Sequence, residues 1–230
     1  MGRAGAALMA GMALAAIGGP ARAGAWIAPE GGQEITTFTY GETEFGSVSE
    51  SDYFREQPLG SRWALVLHPW VEYGADEFGE TVRAEAFAGL KRALHRGSRM
   101  ATAVQAGVAW RSDPPDGCDE GGGEVRALAG ASWTHAFLNA EAAAQAFSGG
   151  CGRQRFEITG GFRPTQRWMA LGQAFVEAGG AGDETIQLQA SVVRFGADGR
   201  RGLQLGVRTR LEAEEASPLL VLGWWDRPGD

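Results

Sequence analysis

An all-β, antiparallel up-and-down transmembrane barrel of about twelve strands is expected from this sequence, and three features lead there. Segment after segment alternates apolar and polar side chains with a period of two, the mark of half-buried strands. The polar faces carry Arg, Glu and Gln in line, as a lumen would need, whereas the apolar faces are aliphatic. Past the N-terminus no apolar run reaches 18 residues, so no transmembrane helix is expected. Abundant Gly, scarce Pro and the absence of a 3.6-residue period complete an all-β profile.

The first 23 residues read as a signal peptide: Arg3, a small-residue apolar run from Ala6 to Gly19, and an Ala21-Arg22-Ala23 cleavage pattern. The run is too short to span a bilayer and ends at Gly18-Gly19-Pro20. Residues 24–230 then form the barrel domain. The segment 1–23 carries two Arg and no acid, so its loss takes the formal charge from −7 to −9. Such acidity, without a basic stripe, argues against nucleic acid as a partner. An exported chain without a helical anchor is periplasmic, secreted or an outer-membrane barrel. Lys91 is the single lysine and every other cation is Arg, which pairs bidentately with carboxylates and suits an ion-paired lumen.

Residues 24–33 lack a period and form a lead-in. Glu34 to Tyr40 is β-branched and aromatic, a first strand. From Ser61 to Tyr73, Trp63, Leu65, Leu67, Pro69, Val71 and Tyr73 lie opposite Arg62, Ala64, Val66, His68, Trp70 and Glu72. Aromatics at both ends of the apolar face resemble membrane girdles. Thr81 to Leu90 sets Val82, Ala84, Ala86 and Ala88 against Arg83, Glu85 and Phe87. Met100 to Trp110 continues the pattern. Glu124–Phe137 and Ala140–Phe147 are Ala-rich strands separated by a turn at Leu138-Asn139. Arg155 to Phe162 and Arg167–Ala178 flank a turn at Pro164-Thr165-Gln166. The clearest alternation is Glu184 to Glu212, a hairpin around Asp198-Gly199, with Leu203, Leu205 and Val207 opposite Gln204, Gly206, Arg208 and Arg210. Pro218 to Trp225 closes the set.

Eleven strands are legible this way, and an odd number cannot leave both chain ends in the periplasm. A strand concealed within 43–58 makes twelve; ten is the alternative. Counting back from the C-terminus puts the loops 111–123, 148–154, 178–184 and 212–217 outside. An Arg on the lipid face at the midplane costs about 2–4 kcal/mol, so the faces of Arg83, Arg155 and Arg208 must be lumenal.

The segments GAWIAPEGGQEITTFTY (24–40), WVEYG (70–74) and GFRPTQRW (161–168) resemble a family of Gram-negative outer-membrane barrels catalogued with the meta-pathway of phenol degradation. The resemblance implies a small antiparallel barrel for uptake of small or aromatic compounds and carries over no catalytic residue. Barrels of this type commonly end on an aromatic residue, whereas this chain continues past Trp225 to Asp230.

The candidate lumen lining is Arg62, His68, Glu72, Arg83, Glu85, Arg155, Glu157, Arg208 and Arg210. It reads either as charge ladders filling a barrel or as a constriction that selects solutes by charge and size. Cys118 and Cys151 are the only cysteines, fall in outer loops and are disulfide candidates in an oxidising compartment. The loop around Asp113, Asp116, Asp119, Glu120 and Glu124 lacks the spacing of a calcium loop, and no metal site or cofactor is implied. Ser132 and His135 invite a lipid-modifying hydrolase, but three residues apart on a strand they point to opposite faces. No catalytic motif is present, so no enzyme is expected. The leading function is a narrow channel or uptake protein for small solutes, with outer-membrane lipid as its surroundings. A closed structural or interaction barrel is the alternative, a lipid-modifying enzyme a more remote one. The oligomeric state stays open.

Overall fold

A computed structural model describes residues 25–43, 46–76, 79–114, 116–179, 184–211 and 217–227; the expected signal segment lies outside these. The described residues form twelve strands: β1 (Gln33–Thr43), β2 (Gly46–Pro58), β3 (Trp63–Asp76), β4 (Gly79–Arg96), β5 (Met100–Arg111) and β6 (Gly121–Ser132), followed by β7 (Ala136–Phe147), β8 (Cys151–Thr165), β9 (Trp168–Gly179), β10 (Thr185–Phe195), β11 (Arg201–Arg210) and β12 (Pro218–Asp226). Each pairs antiparallel with its sequence neighbours, and β1 pairs β12 from Glu34↔Asp226 to Tyr40↔Leu220, closing the barrel.

The concealed strand exists as β2. It escaped the alternation because Ser49, Ser51, Tyr53 and Arg55 occupy the face opposite Glu50, Asp52 and Glu56, leaving both faces polar. The hairpin expected at Leu138-Asn139 lies elsewhere. β6 ends at Ser132, Trp133 N–H donates to the Ala136 carbonyl at 2.8 Å, and Asn139 sits inside β7 facing the lumen. Runs of Ala on these strands give no contrast between faces, so the turn could not be placed from periodicity. β4 extends beyond Leu90 to Arg96, past a register shift between Ala93 and His95, because Lys91 points inward into a buried pair.

The turns at 59–62, 97–99, 133–135, 166–167 and 196–200 share one end of the barrel with the start of β1 and the end of β12. The β5–β6 connection, the longest between successive strands, is at the other end. Longer loops belong to the outer side of bacterial barrels, and the end that holds the start of β1 and the end of β12 is then the periplasmic one.

The outer surface follows from closure. Leu65, Leu67, Ile158, Leu188, Val192, Leu203, Leu205, Leu220 and Leu222 all face outward and are exposed. A sheet closed on itself has no second layer to cover such stripes, and they have the character of the lipid-facing band of outer-membrane barrels. Trp63, Trp133, Trp168 and Trp224 ring the periplasmic end; Tyr40 and Trp110 stand near the outer one. Two outward arginines sit within this ring. Arg92 lies 5.2 Å from the Trp63 ring centroid and Arg194 lies 5.7 Å from that of Trp168, with aliphatic stems along the wall.

Candidate functional site: an ion-paired lumen

The inward face divides into two halves. The outer half holds a cavity of about 470 Å³ lined by nine carboxylates and seven guanidinium groups, together with His68, Trp70, Phe87 and Phe175. Three networks hold six of these carboxylates and six of the guanidinium groups. In the first, Arg208 Nη1 is 2.5 Å from Glu50 Oε2, Arg210 pairs with both Glu50 and Glu72, and Arg83 Nε donates to Glu72 Oε1 at 2.9 Å. In the second, Arg153 meets Glu85 at 2.7 Å and Glu177 at 2.8 Å, and Arg155 pairs with the same two acids. The third joins Arg126 to Glu124 at 3.0 Å and Glu141 at 2.9 Å.

Two of these networks reach across the lumen. Glu85 is on β4 and its arginines are on β8, with β5, β6 and β7 between them around the wall. Glu50 on β2 and the arginines of β11 are likewise separated by β1 and β12. The pairs therefore act as crossbars. A long Arg side chain spans the gap, and the planar fork of Arg153 meets Glu85 through two parallel hydrogen bonds of 2.7 Å. Beneath them His68 Nε2 lies 2.9 Å from Asp52 Oδ2, with Phe54 edge-on to the imidazole at 5.9 Å between centroids. Glu157 stands directly opposite Glu141 in the β7–β8 register and accepts a hydrogen bond from Thr159 Oγ1 at 2.8 Å.

Of the residues singled out in the sequence, His68, Glu72, Arg83, Glu85, Arg155, Glu157, Arg208 and Arg210 line this cavity. Arg62 does not. It lies in the exposed β2–β3 turn at the periplasmic end, because the strand begins only at Trp63. Sequence reasoning missed Glu50, Asp52, Arg126, Glu141, Arg153 and Glu177. Arg153 and Glu177 continue the lumenal parity of Arg155 and of β9, so extending the alternation would have found them. Glu50 and Asp52 are on the strand with two polar faces, and Arg126 and Glu141 on the Ala-rich pair.

The periplasmic half is filled. Phe137, Met169, Leu171, Val193, Phe195 and Trp225 form one buried cluster. Ala25 and Trp26, from the segment before β1, form another with Ala101, Ala103 and Leu128. Within this apolar floor is one buried ion pair, Lys91 Nζ to Glu56 Oε2 at 2.8 Å.

At the outer rim Cys118 of the β5–β6 loop is disulfide-bonded to Cys151, the first residue of β8, with Cα atoms 5.9 Å apart. The Asp119 N–H also donates to the Ser148 carbonyl at 3.4 Å, so the two loops are packed together. The chain between the cysteines spans 33 positions, for which loop entropy gives about 3–4 kcal/mol. Replacing both cysteines by Ser is expected to lower the urea resistance of the folded barrel by that amount, read from the unfolding midpoint. The acids of this region are dispersed. Glu120 Oε2 accepts from Trp110 Nε1 at 3.2 Å, and Glu124 lies inside β6, accepting from Gln145 Nε2 at 2.7 Å. Among the described residues no group of three or more His, Cys, Asp or Glu is arranged to hold a metal ion. Ser132 is buried at the end of β6, whereas His135 is exposed in the following turn, its Nδ1 3.3 Å from the Arg163 carbonyl oxygen.

No family model and no curated protein sequence matches the chain. Solved structures do match its shape. An outer membrane channel from Pseudomonas putida F1 superposes with a TM-score of 0.59 at 14% identity, covering 90% of this chain and 99% of that one. The NanC porin gives 0.58 at 5% identity, covering 85% and 98%. The KdgM porin in complex with disordered oligogalacturonate gives 0.56 at 7% identity, covering 84% and 98%. At such identities the likeness concerns the fold, and the fold is that of the small outer-membrane barrels.

Proposed function

We propose that the protein is a narrow outer-membrane channel through which small solutes enter, selected by size and by mixed charge. The observation that carries this reading is the set of Arg–carboxylate crossbars spanning an outward-opening cavity. Fixed charges of both signs at a constriction favour solutes that replace hydration by alternating donors and acceptors, and they slow larger ones. The shape shared with the KdgM and NanC porins and with the Pseudomonas putida channel supports it. On the same reading residues 1–23 are the export signal, and the chain groups with the barrels catalogued beside phenol degradation.

Planar-bilayer recording tests the proposal. With nine carboxylates against seven guanidinium groups around the cavity, the conducting protein is expected to be weakly cation-selective. Glu85→Ala removes one of the two acids that Arg153 and Arg155 share, leaving Glu177 alone against both, and should move the reversal potential toward anions. No current and no solute flux from folded protein would remove the proposal. The sealed periplasmic half favours a second reading, a closed interaction barrel, and the same recording separates the two.

A further inference from the structure

The two ends of the barrel carry opposite charge. At the periplasmic end the segments 59–62, 92–99, 163–167, 194–201 and 226–227 hold ten arginines against Asp198 and Asp226. Glu30 is the acid of the nearby lead-in, and Glu34 is paired with Arg55 at 3.2 Å. At the other end the described residues of 42–43, 76–80, 112–120 and 184 hold eight acids and no Lys, Arg or His. An arginine-rich composition alone would scatter its cations over both ends. We propose that the periplasmic rim is a binding collar for anionic phospholipid, whose phosphates meet the arginines at the level of the tryptophan belt. The collar depends on the barrel lying in lipid and not on whether the lumen conducts.

Depth decides the class of partner. Arg92, Arg194 and Arg201 point outward from β4, β10 and β11 and are exposed. Arg92 and Arg194 lie against Trp63 and Trp168 of the belt. Rings of such belts sit at the headgroup level of a bilayer. An arginine on the lipid face is costly at the midplane and nearly free at the interface. There the phosphate is the anion within reach, and the guanidinium fork matches its oxygens bidentately. Arg62, Arg99, Arg167 and Arg200 extend the charge through the exposed turns just beyond. An acidic protein could approach those turns, but not the outward trio, which lipid encircles. Little within the rim neutralises it. Asp226 stands 3.6 Å from Arg201, and Asp198 Oδ1 accepts from the Arg200 backbone N–H at 3.0 Å. Arg163 and Arg227 lie over one Phe195 ring at 4.7 and 5.7 Å, and the Nε of each has no hydrogen-bond partner. Guanidinium groups held this close repel each other, and a rim of like charge sums into a field that draws anions.

Brominated lipids test the collar, because Trp63, Trp133, Trp168 and Trp224 face outward at this end and report which lipid lies beside them. The folded protein is placed in phosphatidylcholine liposomes that carry brominated phosphatidylglycerol as a minor component. A parallel sample carries the same fraction of brominated phosphatidylcholine. Phosphatidylglycerol is expected to quench several-fold more per molecule, since each arginine at an anionic surface favours the lipid about fivefold. At about 1 M salt, where the screening length is about 3 Å, the excess should fall toward parity. The triple variant Arg92→Gln, Arg194→Gln, Arg201→Gln, checked for folding by its heat-dependent gel mobility, should lose most of the excess too. Should that variant fail to fold, the salt series decides alone. Soluble glycerol phosphate should leave the excess in place, because the outward trio is reached from within the bilayer. Equal quenching by the two lipids in the parent protein overturns the collar and leaves the rim to an acidic protein. An excess undiminished by salt or by the triple substitution overturns it as well. One abolished by glycerol phosphate would assign the rim to a soluble phosphate and overturn the lipid.

Discussion

Arginine placed at both Ile158 and Leu205 is expected to prevent the protein from folding into a bilayer. Both side chains are exposed, face outward and lie near the middle of their strands, β8 and β11. Each substitution brings a guanidinium to the hydrocarbon midplane at about 2–4 kcal/mol. The strands are three spacings apart around the barrel, roughly 14 Å, so the two effects should add. The sum, about 4–8 kcal/mol, is comparable with the whole stability of an ordinary domain. Urea titration of refolding into liposomes reads it directly, with the single variants giving half the effect each. On a water-exposed face the same changes would stay within about 0.5 kcal/mol.

Lys91→Met should also be severe, at about 3–5 kcal/mol, because Glu56 is left as an uncompensated charge in the periplasmic floor. Both side chains of the pair are almost wholly buried, at 2% and 4% exposure, so water cannot take over. The sign of the double variant separates loss of the pair from loss of packing. Lys91→Met with Glu56→Gln should recover most of the stability, since the amide oxygen still accepts from Ala28 N–H and no charge remains. Equilibrium unfolding of the three variants beside the parent measures both terms. A Lys91→Met protein as stable as its parent would mean that the pair is hydrated.

The barrel was legible wherever one strand face is aliphatic and the other polar. β3, β10, β11 and most of β5 and β8 obey that rule, and the faces read from the sequence are those of the structure. The even count of strands left twelve, with a strand concealed within 43–58, or ten; local pattern could not decide for β2 because its serines and carboxylates leave no contrast. Ala-rich β6 and β7 hid their turn for a related reason: Ala is indifferent between lipid and a crowded lumen. Long-range facts were beyond pattern altogether. That Arg153 and Arg155 reach Glu85 across the lumen depends on how the sheet closes. That Trp26 folds back inside depends on a gap at Gly130, far along the chain on β6. The lone lysine stood out in the sequence, but its partners did not.

Lumen and channel both require lipid around the barrel. Five of the eight tryptophans, Trp63, Trp110, Trp133, Trp168 and Trp224, are on the outer surface, while Trp26, Trp70 and Trp225 point inward. Refolding into liposomes whose acyl chains carry bromine should therefore quench most of the tryptophan emission relative to unbrominated lipid, without loss of heat-dependent gel mobility. Emission indifferent to bromine, from a compact protein that stays in the aqueous phase without detergent, would contradict the account at its root.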